Sequence, residues 1–238
     1  MSESESTTDD ESVSREVAQR VFAGEFNDAS YTFKESDDDR APVYLLLPTG
    51  ERANRVFIVG TLTETEDVGE DNEYWRGRIV DPTGTFFVYA GQYQPDAASA
   101  LREAEPPAYV AVVGKPRTYE TDDGEINVSV RPESITEVDA ATRDRWVVET
   151  ADRTLDRIDA FDEAGNEYAR MATEQYGEDI SRYTETVING LESLESTDEL
   201  AAESASDADG DSSEADGTDS DSTAGEAAVD AADPSPQA

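Results

Sequence analysis

Apolar residues along this chain recur with two periods, and the changes of period mark its elements. Residues 13–26 place Val13, Val17, Ala18, Val21 and Phe22 at helical spacing. Ser12 or Ser14 can cap that helix and Gly24 can end it. Residues 27–40, with the charged run ESDDDR, read as a loop. Val43–Leu47 is a short apolar run closed by the turn Pro48-Thr49-Gly50. The period then becomes two. Strands are predicted at 55–63 (RVFIVGTLT), 74–80 (YWRGRIV) and 85–90 (TFFVYA). The last two are joined by Asp81-Pro82-Thr83-Gly84, where Pro presets φ and Gly closes the turn. A short helix over 95–104 starts at Pro95. Two more strands follow, 109–117 (YVAVVGKPR) and 125–131 (EINVSVR), around the hairpin signal Asp123-Gly124.

Counted from Arg55, the order is strand, strand, strand, helix, strand, strand. A five-stranded Greek-key barrel with a helix between its third and fourth strands is the OB-fold. The strand count also suits an SH3-like barrel, and the helix placement favours the OB-fold. The expected class is therefore mainly β, an OB-fold barrel with an N-terminal helix and a C-terminal helical extension.

From residue 141 the helical period returns. Trp146, Thr150, Leu155, Ile158 and Phe161 fall roughly on one face, with Arg143, Arg145 and Arg153 left for water. Gly165 interrupts. Tyr168, Met171 and Ala172 continue a face, and Ile180, Tyr183, Val187, Ile188, Leu191 and Leu194 make a further helix. Such stripes pack on a barrel or on one another, and they can also dock a partner. Trp146, Leu155, Ile158 and Phe161 are the candidate partner-binding residues. Both ends lack the apolar content needed to offset chain entropy. The layout read from sequence is an acidic arm at 1–12 and an N-terminal helix and loop at 13–40. A barrel follows at 41–138, then a helical extension at 139–197 and an acidic disordered tail at 198–238. A calcium loop starting at Asp207 is rejected, because Ser212 and Thr218 stand where Gly and Glu are required.

Charge changes the picture. The 238 residues carry 57 acids and 18 bases, a formal net charge of -39. There is no Cys and no His, so disulfides, thiol chemistry, Cys/His zinc sites and histidine bases are excluded. Only two bases, Lys34 and Lys115, are lysines. That balance suits a salt-loaded cytoplasm such as a halophilic archaeon's, where molar salt screens surface repulsion to within about 3 Å. The chain has no apolar run of ~18 residues and no signal-peptide pattern, so no membrane span and a cytoplasmic location are expected. No cofactor or metal is expected.

Alternation then nominates contact residues. In 74–80, Trp75, Gly77 and Ile79 form the core side, leaving Tyr74, Arg76 and Arg78 outside. In 125–131, Ile126, Val128 and Val130 face in, while Asn127, Ser129 and Arg131 face out. In 85–90 either Phe86 and Val88 or Phe87 and Tyr89 fill the barrel. OB-folds bind single strands by stacking bases on strand aromatics beside a basic track. The candidate nucleic-acid contacts are Arg55, Tyr74, Arg76, Arg78, Phe87, Tyr89, Lys115, Arg117, Asn127 and Arg131.

The strings LPTGERANRVFIVGTL, WRGRIVDPTGTFFVYAGQYQP, VGKPRTYE, RPESIT and TRDRWVVETADRTLDRI resemble the haloarchaeal replication protein A-associated protein family over residues 41–161. WRGRIVDPTG also resembles the OB-folds of archaeal replication protein A. The resemblance implies a cytoplasmic OB-fold protein that works with replication protein A in DNA replication and repair, without catalysis. The leading expectation is an accessory subunit that binds single-stranded DNA and docks a replication protein A subunit. The alternative is an adaptor that binds only protein, which the acidity favours. An enzyme is not expected, since the chain has no Walker lysine loop, GxSxG or HExxH.

Overall fold

The computed structural model describes residues 16–208, with side chains described for 16–194. Five strands close a barrel: β5 (Val56–Asp67), β6 (Tyr74–Asp81), β7 (Gly84–Gly91), β8 (Ala108–Glu120) and β9 (Ile126–Glu137). Their order is β5-β6-β7-β9-β8, and β8 pairs back onto β5. Antiparallel ladders hold every neighbour except β7–β9, which run parallel beside Val88 and Val130. Helix α2 (Pro95–Glu103) lies between β7 and β8 in sequence. This is the OB-fold. Alternate residues of the strands fill the barrel: Ile58, Leu62, Ile79, Phe86, Val88, Val112 and Val130 are fully buried. Leu101 of α2 joins the same core.

Before the barrel the chain departs from its sequence reading. Residues 13–15 lie outside the described residues. In place of one helix over 13–26 stand β1 (Gln19–Arg20), parallel to β5, and α1 (Ala23–Asp28), with Gly24 inside it. The reason is tertiary. Gln19 and Arg20 find backbone partners at Val56 and Phe57, and an extended chain buries the adjacent Val21 and Phe22 together. Phe26 of α1 then packs on Phe86, ring centroids 5.4 Å apart. The expected loop at 27–40 contains β2 (Thr32–Lys34). β2 pairs with β3 (Val43–Leu47), and β3 with β4 (Glu51–Ala53). Residues 41–53 thus enter a separate three-stranded sheet rather than the barrel.

The helical extension forms α3 (Ala140–Asp159), α4 (Glu167–Tyr176) and α5 (Ser181–Ala208). α5 passes beyond the boundary placed at 197, and residues 209–238 of the expected tail are outside the described residues. Asp139 caps α3, its carboxylate accepting from the Thr142 N–H at 2.8 Å. Asn166 caps α4 in the same way. α3 buries Trp146, Val147, Thr150, Ala151 and Thr154. It also buries Arg143, which sequence had left to water; its guanidinium lies 5.2 Å from the Tyr109 ring centroid.

α4 and the small sheet make a second core of Leu46, Phe161, Ala169 and Ala172. Tyr176 bolts it: its hydroxyl donates to the Leu46 carbonyl at 2.9 Å and accepts from the Tyr31 N–H at 3.0 Å. The β3–β4 turn depends on Gly50, whose φ is +81°. A Cβ there would stand 2.8 Å from the Ala169 Cα. Gly50→Ala combines backbone strain with a clash against α4 and is expected to cost about 2–4 kcal/mol. Urea unfolding checks this, and a loss below ~0.5 kcal/mol contradicts it.

Candidate nucleic-acid interface

The β6–β7 ribbon carries the candidate face. Arg76 stands opposite Tyr89 and Arg78 opposite Phe87, and residues paired across antiparallel strands share a face. The choice left open by sequence is settled here: Phe86 and Val88 fill the barrel, while Phe87 and Tyr89 lie outside, half-buried. Tyr74 and Tyr89 stack with centroids 5.8 Å apart and planes 19° from parallel. The Arg76 guanidinium lies 6.0 Å from the Phe87 ring centroid. Burial raises the Tyr89 pKa, so this ring is neutral near pH 7.

Two kinds of cation border these rings. Arg76 is held by acids, donating to Glu66 at 2.5 Å with Glu64 3.7 Å away. Among the described residues, Arg78 meets only hydroxyls, Thr63 at 3.0 Å and Thr85 at 3.5 Å. The β8–β9 ribbon adds Lys115 opposite Arg131, and Arg117 opposite Ser129. Arg131 is one step from Val130, whose neighbour is Val88, so alternation puts it on the same outer side as Tyr89. Its pKa is pulled down first by burial and then by the charge of Arg117. Asn127 is exposed opposite Tyr119, itself 45% exposed. Tyr119 is an outward ring that sequence reading passed over. Continuing the alternation from Arg117 by two residues would have found it.

Three sequence expectations change on this ribbon and at its edge. Ile126 points to water at 49% exposure, because it opens the strand beyond the barrel wall. Ser129, expected outside, is buried, and its hydroxyl donates to the Arg117 carbonyl at 3.4 Å. Arg55 is taken by Glu133 through two contacts of 2.6 and 2.9 Å and is not free for a phosphate. Trp75 lies half-buried against the core, as alternation required.

The proposed docking residues divide. Trp146 is core: it is 2% exposed, meets Phe22 edge-on at 5.6 Å, and donates to the Phe57 carbonyl at 3.1 Å. Phe161 is buried in the second core. The α3 stripe that faces the barrel runs through 146, 150, 154 and 157, so Leu155 falls beside it and stays exposed, with Ile158 half-buried. Val148 on α3, and Ile188 and Leu191 on α5, are exposed apolar residues that the sequence reading did not separate from the core. Among the described residues no cluster of acids forms a metal site, and no helix is long and apolar enough to cross a membrane.

No family model matches the chain, and no curated protein matches it. Solved structures similar to it include the second single-stranded DNA-binding protein of Mycobacterium smegmatis. That match has 18% identity over 36% of this chain and 86% of that one, with a TM-score of 0.31. An OBody bound to hen egg-white lysozyme matches at 15% identity, over 36% and 80% of the chains, with a TM-score of 0.30. Asparaginyl-tRNA synthetase from Pyrococcus horikoshii matches at 18% identity, over 36% and 20%, with a TM-score of 0.30.

Proposed function

We propose that the chain is a non-catalytic binding subunit that holds single-stranded DNA on the outer face of β6, β7 and the β8–β9 ribbon. It would serve as an accessory partner of replication protein A in replication and repair. One observation carries the binding reading. In a chain of net charge -39, Arg78, Lys115, Arg117 and Arg131 lie on the outer side of the ribbons that carry the stacked tyrosines, and none of the four has a carboxylate partner among the described residues. Repulsion among them is unfavourable unless an anion neutralises it. Tyrosine faces accept bases of any sequence, and arginine forks onto phosphate. The replication role rests on the sequence resemblance over 41–161.

Fluorescence anisotropy of labelled oligo-dT, from 0.1 M to multimolar KCl, tests the reading with and without replication protein A. Binding by the chain alone, weakened when Arg76 and Arg78 are both replaced by serine, is the expected result. A shift seen only when replication protein A is present would instead make the chain a protein adaptor. The exposed Val148, Leu155, Ile188 and Leu191 favour that second reading, since they offer apolar area to a partner.

A further inference from the structure

The small sheet brings one more cation to the barrel's basic side. A cleft of about 390 Å³ opens between the chain entering β3 and the β8–β9 ribbon, lined by Thr32, Arg40, Lys115, Arg117 and Arg131, with no acidic side chain among its walls. Three of the nearby acids have partners of their own. Asp38 turns its carboxylate onto the Arg40 backbone N–H at 2.8 Å. Glu35 binds Arg52 and the Tyr168 hydroxyl. Glu133 is bound to Arg55. The side chains of Arg40, Lys115, Arg117 and Arg131 have no hydrogen bond or ion pair to any described residue. Nine other arginines of the described residues are each paired with a carboxylate, Arg157 with Glu25 for example. Four unpaired cations around one hollow in so acidic a protein fit a ligand that is itself a polyanion.

We propose that this cleft seats a backbone phosphate of the bound strand, so that the nucleic-acid path leaves the barrel and continues onto the appended sheet through Arg40. This deepens the single-stranded DNA reading and rests on it. Arg131 joins the two parts, since it lines the cleft and shares the barrel's outer side with Tyr89. Arginine suits the seat because its planar fork matches phosphate oxygens.

The test pairs amide NMR of the full chain titrated with oligo-dT with the salt dependence of oligo-dT affinity for the wild type and for Arg40→Ser/Arg117→Ser. Both side chains are exposed, so the substitutions leave the cores intact, and circular dichroism verifies this. The expected result is shifted amides at Thr32, Ala41 and Thr118 as well as at Tyr74 and Tyr89. The slope of log affinity against log salt should also flatten by about 0.7, the value for one lost phosphate contact on a single strand. Shifts confined to the Tyr74 and Tyr89 region, with the slope unchanged, would overturn the cleft and leave the barrel interface standing. No oligo-dT binding by the wild type would overturn both.

Discussion

Arg157→Met is expected to destabilise the fold by about 3–5 kcal/mol, because it strands a buried carboxylate. The Glu25 side chain is 0% exposed and that of Arg157 5%. The guanidinium donates to Glu25 at 2.6 Å, to the Thr49 hydroxyl at 2.8 Å, to the Thr154 hydroxyl at 3.1 Å and to the Arg20 carbonyl at 3.3 Å. Thr49 in turn donates to Glu25. One side chain thus ties α3 to β1, α1 and the β3–β4 turn. With it gone, Glu25 faces the core without a counter-charge, and desolvation is no longer offset. Glu25→Leu/Arg157→Met should lose less than Arg157→Met alone, since a matched apolar pair leaves no orphaned charge. Urea melts followed by tryptophan fluorescence measure both variants. If the single variant falls within ~1 kcal/mol of the wild type, this network does not pin these elements of the fold together.

Tyr74→Ala/Tyr89→Ala should weaken oligo-dT binding by about 30-fold to 10⁴-fold, at about 1–3 kcal/mol for each base that loses its ring. The two rings already stack on each other in the described chain, so the platform is formed before any base arrives. The salt profile separates the causes. A stacking loss persists in molar KCl, whereas the loss from Arg78→Ser shrinks as salt rises, because counterion release is what that substitution removes. Tyr74→Phe/Tyr89→Phe should bind within about threefold of the wild type, since the π-face is retained. An alanine pair that binds as tightly as the wild type would return these rings to a purely structural role.

Local pattern carried the barrel well. The outward set Tyr74, Arg76 and Arg78 follows from alternation around Gly77 and Ile79, because a strand inside a ladder has only two sides. The place of α2 between the third and fourth barrel strands was equally visible, marked by Pro95. Pattern failed where partners come from far along the chain. Residues 19–20 became a strand only because the β5 edge was there to accept it. Phe86 was chosen over Phe87 for the interior by Phe26, sixty residues earlier. Trp146 could be read as a docking residue until the Phe57 carbonyl claimed its indole N–H. Arg40 sits in a loop without period, next to three aspartates, and nothing local distinguishes it from a solvated charge.

By itself, then, the sequence determined the five barrel strands, the outward face of β6 and the absence of thiol and histidine chemistry. These depend on residue type and near-neighbour spacing alone. The tertiary structure decided which charges are spoken for. Arg55, Arg76 and Arg157 found carboxylates through folding, while Arg40, Lys115, Arg117 and Arg131 were brought together without one among the described residues. Pairing between distant charges is set by the closure of the barrel and the docking of the small sheet, and neither leaves a period in the chain.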